Sequence, residues 1–374
     1  MKILATDISH RVFGFDLIRA FAILMVVFGH GDLIIRNYFP NSVNFFVIDG
    51  VDLFFVLSGF LIGNILLKSI DNNSFSKKKL FDFWRKRWLR TLPNYYLILA
   101  ITLVYTIIST GNVGEFSLRY IFFFQNFHSS HPSFFTVAWS LSVEEWFYIF
   151  FPLGIFVLFI FFPEKNIKFI SFIIILFLLF LPLIYRIKRG FFYYSHYPTE
   201  LIFDSFIRKI VLTRLDTIGY GILGAYIYHY YPGIWGKYKF LRFFLGLTIL
   251  YIVQYQIPFG FFHYTLKFSL ISIGILLLFP LLSTLKSPSK FVLIPVTFIS
   301  LISYSMYLIH YSLILNPILD FGKPDSEKSA LLFYFIYIGT TILISALLYR
   351  GFEKPIMNLR NARYFNRETI QKQI

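Results

Sequence analysis

The chain has 374 residues, of which 57% are hydrophobic and 14% are charged, and its mean hydropathy is +0.67. A soluble protein carries roughly 25% charged residues, so this composition excludes an ordinary soluble fold and indicates a chain that lies in a lipid bilayer. The absence of cysteine excludes disulfides, thiolate metal sites and a cysteine acyl-enzyme, and the basic residues behind the net charge of +16 lie in short stretches between apolar runs, which is typical of a membrane protein rather than of a nucleic-acid-binding protein.

Apolar runs that could cross a bilayer recur along the whole chain, since a spanning helix needs roughly 20 mainly apolar residues. We therefore predict an all-α integral membrane protein in contact with membrane lipid. Its transmembrane helices, about ten in number by the length rule, are predicted at about residues 13–34, 50–67, 93–110, 138–162, 169–186, 213–231, 242–257, 267–285, 297–316 and 330–349.

The distribution of Lys and Arg predicts the orientation of these spans. An even number of spans places both termini on one side, and the connections on that side carry most of the basic residues, so we expect both termini in the cytoplasm. The longest connection there, 68–90, is rich in Lys and Arg. Segment 186–212 is also basic although it falls on the outer side, where it could instead serve an anionic acceptor. Residues 1–355 form one predicted transmembrane domain, and residues 356–374 form a short polar cytoplasmic tail.

The first span carries three ionisable side chains, Asp16, Arg19 and His30. Arg19 and His30 are eleven residues apart, close to three helical turns, so they share one face about 16 Å apart along the axis. Asp16 lies one turn before Arg19. Charge within a span indicates function, although a buried structural ion pair between Asp16 and Arg19 is the alternative. In the functional hypothesis, His30 deprotonates an attacking substrate hydroxyl, Asp16 orients the imidazole, and Arg19 stabilises an oxyanion or binds a phosphate.

A second group of polar residues opens the fourth span. Ser140, Glu144 and Tyr148 follow an i, i+4, i+8 spacing and share a face, and Trp139 and Glu145 lie beside them. The functional hypothesis is that these residues contact substrate, and the alternative is an N-capped helix, with Ser140 or Ser142 as the cap and acids in the first turn.

The third group lies at the cytoplasmic boundary before the third span. Arg87 and Arg90 stand three residues apart among tryptophans. Such residues usually anchor a helix at the lipid headgroups, and a phosphate clamp for a nucleotide-bearing donor is the more specific alternative. In the second span, the Gly59-xxx-Gly63 spacing predicts close helix packing. The remaining candidates for substrate contact are Asp52, Ser58, Arg214, Asp216, Tyr304 and His310. Taken by itself, His310 is more typical of a packed structural histidine.

These segments together resemble the membrane-bound acyltransferase-3 family of bacteria, which includes O-antigen and peptidoglycan O-acetylases. The family's Arg-x10-His motif is matched by Arg19 and His30. The other matched motifs are Gly-Val-Asp-x-Phe-Phe-x-x-Ser-Gly-Phe at 50–60, Arg-x-x-Arg-x-x-Pro-x-Tyr at 87–95, Trp-Ser-Leu-x-x-Glu-x-x-x-Tyr at 139–148, Ser-Tyr-Ser-Met-Tyr-Leu-Ile-His at 303–310 and Glu-Lys-Pro at 353–355.

The resemblance implies an activity and a location. The donor would be a cytoplasmic acyl-CoA, usually acetyl-CoA, and the acceptor a hydroxyl of a cell-surface or lipid-linked glycan at the outer side of the bacterial inner membrane. Arg19 and His30 would be essential, Glu144 would take a catalytic role, and Arg87 and Arg90 would lie near the donor. No metal or bound cofactor is expected.

Some family members carry a C-terminal SGNH-type hydrolase domain that completes the transfer, and this sequence shows none. We therefore expect either direct acylation of the acceptor or transfer to a separate periplasmic acyl-accepting protein. Two other classes remain open. A transporter of a glycan or a lipid-linked sugar would also need many spans and intramembrane charge, and a non-catalytic membrane scaffold would need the spans alone.

Overall fold

The computed structural model describes residues 11–40, 49–70, 76–162 and 167–359, and the regular structure in these ranges is helical with no β-strand among them. Their principal helices, in chain order, are α1 (Phe13–Ile35), α2 (Gly50–Ile70), α3 (Lys77–Thr110), α4 (Ala138–Phe161), α5 (Ile167–His196), α6 (Leu215–Tyr230), α7 (Lys239–Tyr251), α8 (Lys267–Leu282), α9 (Lys290–Phe321) and α10 (Glu327–Leu359).

Shorter helical segments lie in or beside the connections. They are Leu118–Tyr120, Glu200–Phe203, Asp204–Arg208, Val211–Thr213, Pro232–Gly236, Ile252–Gln256 and Phe261–Thr265. Two of the principal helices also contain wider, π-helical turns, at His310–Leu315 in α9 and at Tyr349–Glu353 in α10. Such turns are rare and occur frequently at functional sites.

Seven helices, α1 to α5, α9 and α10, are long and apolar enough to cross a membrane, and each corresponds to a span predicted from the sequence. The other three predicted spans coincide with α6, α7 and α8, which have only 16, 13 and 16 residues. A straight crossing needs roughly 20 residues. The structure therefore confirms an all-α architecture with seven candidate membrane helices, while the count of ten and the orientation stay predictions.

Helix α3 is longer than its predicted span, 93–110. It begins at Lys77, with the Ser76 side chain accepting a hydrogen bond from the Lys79 backbone N–H, and it continues through Pro93 for 34 residues. Its length of about 51 Å exceeds the roughly 30 Å of a hydrocarbon core. Most of the connection predicted at 68–90 is therefore helical, although residues 71–75 lie outside the described ranges. A hydropathy pattern could not predict this helical extension, because Lys and Arg are polar and yet good helix formers.

The chain also stays helical at its C-terminal end. Helix α10 was predicted to end near residue 349, but it continues to Leu359 and includes Pro355. The first residues of the predicted polar tail, 356–374, therefore belong to this helix. Residues 360–374 lie outside the described ranges, as do residues 1–10, so the structure shows only part of that prediction.

Close backbone contacts through glycine join α2 to α6. A Cβ at Gly59 would lie 2.0 Å from the Ile218 carbonyl oxygen, and one at Gly221 would lie 2.1 Å from the Val56 carbonyl oxygen. A Cβ at Gly63 would lie 2.7 Å from the Ala225 side chain. The packing role predicted for Gly59 and Gly63 is therefore confirmed. Helix α1 lies beside α2, α9 and α10, at the centre of the buried part of the molecule.

Connections that were predicted to lie on one side of the membrane contact each other in the structure. The bonded pairs at one end of the bundle are Tyr38–Pro324, Asp49–Arg208 and Asn126–Lys209. At the other end they are Lys239–Thr284 and Trp235–Ser283. This grouping is the one expected for helices that run alternately up and down.

Candidate functional site

Four arginines converge near the start of α1, and we call them the arginine cluster (Arg11, Arg19, Arg87 and Arg90). Arg19 lies in α1 within electrostatic range of the other three, two of which come from α3. The Arg19 side chain is largely buried, with 16% of its surface exposed. Neighbouring carboxylates compensate part of this charge, and a partly buried concentration of arginines is a candidate site for an anion.

Asp16 belongs to the arginine cluster and not to His30. Its carboxylate accepts hydrogen bonds from Arg11 Nε at 2.7 Å, from Arg19 Nη1 at 3.5 Å and from the Ser300 hydroxyl at 2.7 Å. Fourteen residues of helix place it about 21 Å along the axis from His30. The orienting role proposed for Asp16 therefore does not fit the geometry, and the alternative prediction of an ion pair with Arg19 does.

His30 pairs with His310, which comes from the π-helical turn of α9. His30 Nδ1 lies 2.9 Å from His310 Nε2, and His310 Nδ1 lies 3.0 Å and 2.8 Å from the carbonyl oxygens of Met306 and Tyr307. Carbonyls only accept, so His310 Nδ1 carries the proton and His310 Nε2 accepts one. His30 Nδ1 must therefore be the donor between the rings. In the neutral pair, His30 Nε2 is left without a proton, as a general base requires.

A cavity of about 350 Å³ opens beside His30, and we call it the His30 cavity. Small-molecule sites range from roughly 300 to 1,000 Å³, so this volume suits a small ligand or one unit of a larger one. The aromatic and hydroxyl groups in its lining are Trp139, Phe203, Phe268, Tyr307 and Thr136. The charged groups in its lining are Asp49, Asp52, Arg208, Lys209 and Lys267.

Ion pairs surround the rim of the His30 cavity. Arg208 contacts Asp49 at 2.5 Å and Asp204 at 2.8 Å, and Lys209 contacts Asp204 at 2.5 Å. Burial alone would raise the pKa of Asp204, but the two neighbouring cations outweigh it and lower that pKa. Arg208 lowers the pKa of Asp49 in the same way. Both carboxyls are therefore ionised at neutral pH, and they hold the segment around Arg208 against the start of α2.

The predicted face of α4 runs from the His30 cavity towards Arg87, and we call it the α4 polar line (Ser140, Glu144 and Tyr148). At the cavity end, the Ser140 hydroxyl bonds with the Tyr307 hydroxyl. The N-cap interpretation is wrong for this helix, because the cap is Val137, which offers no side-chain bond to the helix. Ser142 instead receives a hydrogen bond from Gln125.

At the other end, the α4 polar line meets Arg87. Glu144 accepts hydrogen bonds from Arg87 Nη2 at 3.2 Å, from the Tyr148 hydroxyl at 2.7 Å and from the Ser58 hydroxyl at 3.2 Å. Arg87 also bonds to the Tyr148 hydroxyl, and its guanidinium lies 4.0 Å from the Tyr148 ring centroid. The structure thus brings together four predicted residues from three separate helices: Ser58, Arg87, Glu144 and Tyr148.

Glu145 and Tyr304 are brought together on a different face, against α3. Glu145 accepts a hydrogen bond from the Thr91 hydroxyl at 2.9 Å, and the Tyr304 hydroxyl donates to the Thr91 carbonyl at 2.8 Å. They fix the helical turn that carries Arg87 and Arg90, so their contacts position this part of α3.

Arg214 and Asp216 do not form one substrate-binding pair. Asp216 binds Arg186 through two hydrogen bonds of 2.7 and 2.8 Å, and both side chains are fully buried. Arg186 also donates to the Ser269 hydroxyl at 2.6 Å. Arg214 instead forms a buried ion pair with Asp52, which lines the His30 cavity. Asp216 therefore has a structural partner, and Asp52 is the one of these two acids that lies at the cavity.

Sequence reasoning found some residues of the two ends indirectly and missed others. Tyr307 shares a helical face with His310 and lies in the matched stretch 303–310. Arg208 and Lys209 belong to the basic segment 186–212, which was considered for an anionic acceptor, whereas Lys267 was missed because it lies far from His30 in the sequence. Ser300 and Arg11 belong to the site because both side chains donate hydrogen bonds to Asp16. A separate buried group, in which Asn94 and Ser305 donate to the Glu353 carboxylate, lies between α3, α9 and α10.

The two ends are separate in this structure. Arg19 and His30 are about 16 Å apart along α1, so Arg19 cannot reach an oxyanion formed at His30. The lining of the His30 cavity does not include Arg87 or Arg90, so this cavity does not connect His30 to these two arginines. Within the described ranges, no group of three His, Asp or Glu side chains is arranged to hold a metal ion.

Residues 12–350 match the sequence profile of the family described as "Acyltransferase domain". The chain belongs to this acyltransferase family. Together with the seven candidate membrane helices, this membership identifies a multi-pass membrane protein that carries an acyltransferase domain. The family resemblance inferred from the sequence motifs is thereby confirmed.

The chain is similar to O-acetyltransferases of two bacteria, among other relatives. It is 26% identical to the peptidoglycan O-acetyltransferase OatA of Listeria monocytogenes, over 94% of this chain and 56% of the relative. It is 27% identical to the O-acetyltransferase OatA of Staphylococcus aureus, over 92% of this chain and 57% of the relative. A putative O-acetyltransferase of the same species is 28% identical, over 91% of this chain and 56% of the relative. The chain thus spans just over half the length of these relatives. No solved structure matches it.

Proposed function

We propose that the protein is an O-acyltransferase of the bacterial cytoplasmic membrane, which moves an acyl group, acetyl in the simplest case, from acyl-CoA to a hydroxyl of a cell-envelope glycan. The observation that carries this proposal is the His30–His310 pair, which presents an unprotonated His30 Nε2 beside a polar cavity. Family membership and relatives named as O-acetyltransferases support the reaction class.

The arrangement of His30 fits direct transfer without a covalent enzyme intermediate. His30 Nε2 takes the proton of the acceptor hydroxyl while the hydroxyl oxygen attacks the thioester carbonyl. The carbon–sulfur bond breaks, and the CoA thiolate leaves. It takes the same proton from the imidazolium, so the products are the O-acyl ester and free CoA thiol. The His310 ring keeps His30 in the reactive tautomer throughout.

The arginine cluster is the proposed donor site. A CoA molecule carries several phosphate charges, and guanidinium groups bind phosphates through paired hydrogen bonds. Arg87 is held by Glu144 and Tyr148 in this structure, so donor phosphates would compete with these partners for it. The acyl arm would then follow the α4 polar line towards His30, a path of about 12 Å from Tyr148 to Ser140 along the helix.

A transfer assay with the purified chain in lipid nanodiscs tests this proposal. Labelled acetyl-CoA and solubilised peptidoglycan fragments are supplied, and ester-linked label on the fragments is measured alongside release of CoA thiol. The wild-type chain should transfer label, and His30→Ala should reduce transfer to the background. Transfer that survives His30→Ala contradicts the assigned base. Label found only on an added periplasmic protein would assign the acceptor role to that protein.

Donor binding is tested with a matched pair of arginines from one helix. Arg87→Gln should weaken binding of CoA to the purified chain, whereas Arg85→Gln should not, because Arg85 pairs with Asp82 and lies away from Glu144. Calorimetric titration with CoA gives both affinities. If CoA fails to bind the wild-type chain while fluorescent glycan crosses proteoliposomes containing it, the chain is a transporter and not an acyltransferase.

A further inference from the structure

Lys267, the first residue of α8, lines the His30 cavity without an ion-pair partner among the residues that the structure describes. Its ammonium nitrogen lies 5.7 Å from the ring centroid of Phe203. Asp52 is a carboxylate in electrostatic range, but Arg214 already binds it. Lys267 is therefore a charged group that faces a cavity and lacks a dedicated counter-charge.

The other charged groups at the His30 cavity compensate one another. Asp49 and Asp204 are paired with Arg208 and Lys209, and Asp52 is paired with Arg214. Together with Lys267, these groups contain one more cationic side chain than anionic ones. The sequence segment that precedes Asp49, 41–48, contains no acidic residue and offers no further counter-charge. A partly buried cation is costly unless it is paired, so an anion in the cavity would be stabilised there.

We propose that the His30 cavity contains a subsite for an anionic group of the acceptor, a carboxylate or a phosphate, which Lys267 binds while a hydroxyl of the same molecule lies at His30 Nε2. This inference rests on the proposed function, because it requires the acceptor hydroxyl to react at His30. It defines the acceptor as an acidic glycan. A neutral sugar would leave the Lys267 charge uncompensated, and a cationic one would add to it.

The subsite is tested with one preparation of peptidoglycan fragments in three forms: untreated, with carboxylates converted to amides, and treated with phosphatase. A carboxylate at Lys267 predicts that amidation lowers kcat/KM for the wild-type chain by at least about tenfold, mainly through KM. A phosphate predicts the same loss after phosphatase treatment. The two treatments therefore distinguish the two sources of negative charge.

Variants of Lys267 connect any such loss to this residue. Lys267→Met should lower kcat/KM for untreated fragments and remove the difference between the three forms, while Lys267→Arg should retain both. Lys290→Met is the matched control, because Lys290 is the exposed first residue of α9 and lies away from the cavity. Equal kcat/KM for all three forms with the wild-type chain overturns the subsite alone. Absence of transfer to untreated fragments overturns the proposed function and the subsite with it.

Discussion

The hydrogen-bond chain through His310 is the most informative arrangement of individual residues in this protein. Two backbone carbonyls fix the proton on His310, His310 fixes the proton on His30, and His30, with its other nitrogen unprotonated, lines the cavity. A carboxylate usually performs this orienting task beside a catalytic histidine. Here a neutral ring performs it, which avoids burying an additional charge inside the membrane.

We predict that His310→Leu lowers kcat for acetyl transfer by about 10²- to 10⁴-fold, because His30 loses the acceptor that selects its tautomer. The KM for acetyl-CoA should not change, since the proposed donor site lies at the other end of α1. His310→Gln retains an amide oxygen that can accept the same hydrogen bond and should recover part of the rate. Steady-state kinetics on variants with matched melting temperatures measure this, and an unchanged kcat in His310→Leu would exclude the orienting role.

The Arg186–Asp216 pair leads to a prediction about stability. Both side chains are fully buried, so Asp216→Asn leaves the Arg186 charge uncompensated and should destabilise the fold by about 3–5 kcal/mol. The melting temperature of the purified protein in detergent measures this effect. The double variant Arg186→Met with Asp216→Leu should recover most of the loss. A variant that melts normally but binds acceptor poorly would instead assign Asp216 to the substrate site.

At the scale of helices, the glycine contacts between α2 and α6 position the residues at one side of the His30 cavity. These helices approach so closely that carbonyl oxygens occupy the space where side chains would lie. Helix α2 carries Asp52 and Ser58, and α6 begins just after Arg214, so this contact brings the Asp52–Arg214 pair to the cavity. Close packing here is therefore a condition for the site as well as for the fold.

Gly59→Ala should destabilise the protein by about 1–3 kcal/mol, because the new methyl group would lie 2.0 Å from the Ile218 carbonyl oxygen and the helices would have to separate. Gly339→Ala is the matched control. It lies in α10 with no atom within 4 Å of the new Cβ, so the better helix propensity of alanine should leave the melting temperature unchanged or raised. Equal shifts for the two variants would contradict the packing argument.

Helix-level features differ in how far the sequence predicts them. Apolar runs and spacing located all seven candidate membrane helices, and the periodicity of α4 grouped Ser140, Glu144 and Tyr148 correctly. The π-helical turn that begins at His310 has no sequence signature of this kind, because it depends on packing against α1 and α10. The pairing of His30 with His310 joins residues 280 positions apart, so only the folded chain reveals it.

For the whole molecule, the orientation is the property that decides which compartment supplies each substrate. The chain has no cysteine, so single cysteines can be introduced without background. Ser130→Cys and Lys323→Cys lie at exposed positions of the His30 end, and Lys237→Cys and Ser287→Cys lie at exposed positions of the opposite end. If the termini are cytoplasmic, a membrane-impermeant maleimide should label only the first pair on intact cells and all four after permeabilisation. Labelling of the second pair alone would reverse the proposed direction of transfer.

The closed contacts of the α4 polar line also matter for the membrane as an electrical barrier. A protein that takes one substrate from each side needs a passage between them, and an open polar passage would let protons and ions leak. Here Arg87, Glu144 and Tyr148 bond directly to each other across the route between the two ends. A ligand that competes for Arg87 would loosen them. In the proposed mechanism these bonds close the route at rest, and the donor itself would open the path that its acyl group follows.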